Sequence, residues 1–101
     1  MEKNTSSQEF KEQLRTMFTI RLSETAAVPL ELADVVEKHY SPDVESFSLM
    51  FRGPLIPLLP QRTYHLEHER LGGQELFLVP VGPQNGAMQY EAVFNRLLKK
   101  S

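Results

Sequence analysis

The chain has 101 residues, of which 41% are hydrophobic and 24% charged, which suits one domain with a modest core and excludes both two domains and a chain too polar to fold. Thirteen acids against eleven bases leave a formal charge of −2, which excludes nucleic-acid binding through a surplus of positive charge. No cysteine is present, so disulfides, thiolate nucleophiles and cysteine-held zinc are excluded and the fold must stand on packing in a reducing compartment.

Met1-Glu2-Lys3-Asn4-Thr5 lacks an apolar segment behind a basic start, and the longest apolar run, 55–59, is short and broken by Pro57. Neither a signal peptide nor a spanning segment is expected, so the expected setting is the cytoplasm with no membrane partner. Ser6-Ser7-Gln8-Glu9 is a capping box, and Phe10, Leu14, Met17 and Phe18 follow at i, i+4, i+7 and i+8. This predicts an amphipathic helix over 6–17, with residues 1–5 disordered ahead of it and a β-rich core over 18–98, all within one domain, 1–101.

From Phe18 the period changes to two, with Phe18, Ile20 and Leu22 alternating against polar neighbours, which marks a first strand. Ser23 to Ala27 is a polar connection, and Val28, Leu30 and Leu32 alternate again around Pro29, which places that strand at an edge or at its own beginning. Residues 33–40 mix strand and helix formers, and Ser41-Pro42-Asp43 marks a turn. Phe47, Leu49 and Phe51 then alternate with Ser46, Ser48 and Met50 until Gly53-Pro54 stops the strand.

Two turn signals organise the last third. Gly72-Gly73 as a two-residue turn pairs Leu66 with Val79, Tyr64 with Val81 and His68 with Phe77, and Asn85-Gly86 as another pairs Val81 with Tyr90, Val79 with Ala92 and Phe77 with Phe94. Together they place Tyr64, Leu66, Phe77, Val79, Val81, Tyr90, Ala92 and Phe94 on one face, with Arg70, Glu75 and Arg96 as a charged row across its end. On that register Phe77→Ala costs about 3–5 kcal/mol. Pro80 demands a bulge, or the loss of pairing beyond Val79. Leu76, Leu78, Val93 and Leu97 face the other way, to be covered by the N-terminal helix or a dimer partner. The expected fold is α+β, an N-terminal helix followed by about six mainly antiparallel strands in a curved sheet or partly open small β-barrel.

Four blocks, Glu45-Ser-Phe-Ser-Leu-Met-Phe-Arg-Gly-Pro, Leu59-Pro-Gln-Arg-Thr-Tyr-His-Leu-Glu-His, Leu76-Phe-Leu-Val-Pro-Val and Tyr90-Glu-Ala-Val-Phe-Asn-Arg, resemble a small bacterial domain family of unknown function over roughly 18–97. The resemblance implies a β-rich bacterial domain, often encoded near phage-tail-collar-like proteins. It implies no catalytic or binding residues.

His65-Leu66-Glu67-His68 is the most chemical string. On a strand His65, Glu67 and Glu69 share a face while His68 takes the other, a pattern of a solvent-facing polar row more than of a metal site. No nucleophile elbow, P-loop or dinucleotide fingerprint is present, and triads drawn from Ser48 with His65 or His68 are not specific, so no enzyme, cofactor or metal is expected. Leu55-Ile56-Pro57-Leu58-Leu59-Pro60, flanked by Arg52 and Arg62, is the leading functional stretch. It either plugs a barrel end or meets another protein, with Arg52, Leu55, Ile56, Leu58, Leu59 and Arg62 as the interaction residues. The expected function is a non-enzymatic protein–protein interaction or assembly module, phage-tail-related if the resemblance holds, binding another protein or itself. A barrel in which Tyr64, Phe77, Tyr90 and Phe94 line a small-ligand cavity is the alternative, and a hydrolase or metal enzyme comes third.

Overall fold

A computed structural model describes residues 5–97, apart from the side chains of 39–41 and 97. One short helix, α1 (Ser7–Lys11), precedes six strands: β1 (Met17–Arg21), β2 (Ala27–Ser41), β3 (Val44–Gly53), β4 (Arg62–His68), β5 (Gly72–Gln84) and β6 (Ala87–Leu97). All neighbours pair antiparallel, and the order β1-β2-β3-β6-β5-β4 closes on itself as an irregular ring. Closure between β1 and β4 rests on two pairs, Thr19 with Glu67 and Ile20 with Leu66. The fold is therefore a closed antiparallel sheet with a turn and a half of helix, too little to make it clearly the expected α+β class. Among the described residues no helix is long and apolar enough to cross a membrane.

The core lies inside the ring. Phe18, Ile20, Leu30, Leu32, Phe47, Leu49, Phe51, Leu66, Leu78 and Tyr90 are almost wholly buried, each on the inward side of an alternating strand as pleat geometry requires. In β2 a bulge between Leu32 and Asp34 keeps Val35 inward, and residues 33–40 are strand throughout. Pro29 lies opposite Thr19 of β1, below the start of the β2–β3 ladder at Glu31 and Arg52, so its missing amide faces no partner strand on that side. Pro42 and Asp43 form the turn between Ser41 and Val44.

The β4–β5 hairpin corrects the sequence register. His68 pairs with Gly72, Leu66 with Gln74 and Tyr64 with Leu76, so the loop is Glu69-Arg70-Leu71 and not Gly72-Gly73. Two bonds decide this, the amides of Arg70 and Leu71 donating to His68 Nδ1 at 3.0 and 3.1 Å. Gly72 then takes the left-handed position that ends a three-residue hairpin loop, φ +75°. The expected register is off by an odd number of residues, which turns β5 over: Leu76 and Leu78 are buried, whereas Phe77 is 49% exposed.

Asn85-Gly86 does form the second turn, with Gln84 opposite Ala87 and both turn residues at positive φ. The bulge demanded by Pro80 is present, between Pro80 and Gly82, and β5–β6 pairing runs no further than Val79 with Glu91. That single extra residue inverts the parity a second time, so Tyr64, Leu66, Tyr90 and Ala92 are buried as expected while Val81 is exposed. The charged row does not form: Glu75 meets His65, Arg70 meets Gln13 and Arg96 meets Glu45.

Beyond Val79 the two strands part, β5 continuing with β4 and β6 with β3. Residues 5–16 cross that opening. The capping box of Ser6 and Glu9 is complete, but the helix stops after Lys11, because Arg15 turns left-handed at φ 72° and the chain passes into pairing with β2. Arg15 N–H donates to Leu32 O, and Leu32 N–H to Thr16 O. Leu14 and Met17 are consequently exposed, at 36% and 50%, and the long apolar stripe is not one helical face. From α1 Phe10 reaches the core, 5.9–6.4 Å from the rings of Phe18, Phe47 and Phe94. Of the disorder expected over 1–5, residues 1–4 lie outside the described residues, and Thr5 is buried.

Candidate functional site

Antiparallel order puts the β1–β2 turn, the loop over 54–61 and the β5–β6 turn at one end of the ring, and α1 with the β2–β3 and β4–β5 turns at the other. The loop spans from the end of β3 to the start of β4, past β6 and β5, which lie between them in the ring. Its base is fixed. Leu59 is 3% exposed, its amide donating to Tyr90 Oη at 3.0 Å, and Tyr64 Oη donates to Pro60 O at 2.6 Å. Burial raises the Tyr64 phenol above its ordinary range, the neighbouring Arg62 opposing the shift, so the hydroxyl keeps the proton it donates.

The rest of the loop faces solvent. Leu55, Ile56 and Leu58 are 46%, 86% and 57% exposed. Leu59 fills the ring end, and Leu55, Ile56 and Leu58 stand out from it. Arg52 reaches Asn85 O at 3.4 Å and leaves a buried Nε without a partner. Arg62 lies 5.1 Å over the Tyr64 ring. Both arginines flank the loop, and among the described residues neither holds a carboxylate. A Cβ on Gly53, just before the loop, would meet Leu30 Cδ2, so a side chain there requires Leu30 to shift.

A second feature lies at the ring closure. A groove of about 510 Å³ runs along the β1–β4 seam, with Met17, Thr19 and Arg21 on one wall and Glu67, Glu69, Gly72 and Gly73 among the rest of its lining. Sequence periodicity gives no sign of it, because it exists only where two strands distant in the chain meet.

The His65 string is split as its alternation requires. His65 is on the outside, bonded through Nδ1 to Glu75 and 3.8 Å from Glu67, with its ring lying over Gly73. Glu75 takes the place expected for Glu69, and among the described residues no three His, Asp or Glu side chains converge as metal ligands. His68 is buried at 7% exposure and 4.3 Å from the Phe18 ring. Ser48 sits on β3, which the ring does not place beside β4, so the triads drawn from it with either histidine are not assembled. Of the aromatic residues expected to line a cavity, Tyr64 and Tyr90 are inside, Phe94 is partly buried and Phe77 is outside.

The family model for a domain of unknown function, DUF6916, matches residues 5–94. No curated protein and no solved structure matches the chain.

Proposed function

The chain belongs to the DUF6916 family, a domain of unknown function, and from its own surface we propose a protein–protein interaction or assembly module that works through the loop over 54–61. The observation that carries this reading is the contrast within the loop: Leu59 and Pro60 are bonded to buried tyrosines, while Ile56 is 86% exposed between two exposed leucines. A solvent-facing apolar cluster on an anchored base loses little conformational freedom on docking, which favours tight association for its area. Arg52 and Arg62 beside it suit partner carboxylates, because a guanidinium presents paired donors in a fixed plane. A place in a phage-tail-like assembly, which the sequence resemblance implies, is compatible with this role.

The test is affinity capture from source lysate with the tagged full chain, beside an Ile56→Ser, Leu58→Ser variant. A stoichiometric partner bound by the first and lost from the second is expected. Equal capture by both overturns the assignment to the loop.

A further inference from the structure

We infer that the chain associates head to tail, the apolar loop of one copy seating in the groove at the β1–β4 seam of the next. This rests on reading the loop as a protein contact and names its partner as a second copy. The two surfaces carry complementary charges. Arg52 and Arg62 flank the loop with no carboxylate on either among the described residues, and Glu67 and Glu69 line the groove, Glu67 more than half exposed with only the 3.8 Å approach of His65. For the apolar tip the groove offers Met17, half exposed, its one apolar side chain, and open space beside Gly72, where a Cβ would meet nothing within 4 Å. Arg21 stands in the wall as the one opposing charge.

The Arg62 root of the loop cannot pair with the carboxylates of its own groove, whereas Arg52 and Pro54 at the other root share a pocket with Met17. The loop enters β4 at Arg62, and the carboxylates lie at Glu67 and beyond, the length of a strand away and about 16–20 Å at the rise of a β-strand. Loop and groove are different patches, so their contact is heterologous and repeats from copy to copy into a ring or an open filament. Paired opposite charges set the direction and register of such a contact, and like charges in their place oppose it.

The test is sedimentation velocity with light scattering on the full chain across concentration and salt. The mass is expected to rise with concentration from the 11.6 kDa of one chain past that of a dimer, and to fall back as salt screens the charges. Ile56→Ser with Leu58→Ser is expected to stay monomeric with an unchanged circular dichroism spectrum and melting temperature. Two charge variants make the decisive arm: Arg52→Glu with Arg62→Glu, and Glu67→Arg with Glu69→Arg. Each alone sets like charge against like and stays monomeric. Mixed, they restore both kinds of contact and reassemble. A wild-type chain that remains monomeric, an association that stops at a dimer and survives in either charge variant, or a mixture that stays monomeric overturns the inference. Monomeric wild type leaves the loop's role as a contact for a different protein standing, because that role falls only if lysate capture ignores Ile56 and Leu58.

Discussion

His68 joins two elements through one imidazole, and its protonation state follows from its partners. Nδ1 accepts the amides of Arg70 and Leu71, so it carries no proton. The proton is then on Nε2, 2.8 Å from Thr16 Oγ1, whose own hydroxyl donates to Gln13 O. Burial first and the Arg70 charge second lower His68 below its ordinary value, Glu69 opposing. Above about pH 6.5, the unfolded value, His68 is neutral in both states and its contribution to stability is complete. As pH falls from there toward the lower folded value, the unfolded chain takes the proton first and stability declines. Urea midpoints measured across that window are expected to fall with pH, and His68→Gln is expected to flatten the decline. At pH 7.5 His68→Ala is expected to cost roughly 1–3 kcal/mol, since two turn amides lose their acceptor. In β5 the hairpin fixes a reversed order of costs: Leu78→Ala lowers the free energy of unfolding by about 2–5 kcal/mol, and Phe77→Ala, at a half-exposed site, by clearly less. Denaturant curves of the two variants check it.

At the level of elements, α1 shows how a correct local signal sits inside a wrong boundary. The capping box forms as the sequence spells it, yet five residues of helix are too few to be stable alone. What holds them is tertiary: Phe10 among three rings, Ser7 Oγ and Lys11 on Glu37, and Arg96 donating to Thr5 O at 2.7 Å. Phe10→Ala is therefore expected to cost about 3–5 kcal/mol, and Ser6→Ala only about 1 kcal/mol, measured as shifts in chemical denaturation. The strands were legible wherever alternation alone decides. Phe18, Val28, Leu30, Phe47, Leu49, Phe51, Tyr90 and Ala92 all point inward. Register was not legible where a side chain sets a turn, because no spacing rule sees that His68 will close Glu69-Arg70-Leu71 and leave the two glycines inside a strand. The loop's exposed residues could be named from sequence, whereas the seam groove could not, since β1 and β4 meet only after the whole ring has formed.

The whole molecule is a ring joined unevenly. β3 is paired along its length on both sides, from Val44 to Gly53 against β6 and from Val44 to Arg52, with interruptions, against β2. At the other extreme stand the two pairs between β1 and β4. Local openings follow the smallest set of bonds that must break, so native-state hydrogen exchange is expected to find two classes of amide. Those bonded across Thr19, Ile20, Leu66 and Glu67 exchange through a partial opening well below the global free energy, and those in the middle of β3 only through complete unfolding. If the seam amides exchanged as slowly as those of β3, the ring would be opening elsewhere. An opening at the seam leaves β1-β2-β3-β6-β5-β4 as a continuous curved sheet with two new edges. Brief excursions of that kind make the seam the place where a passing strand finds unpaired backbone.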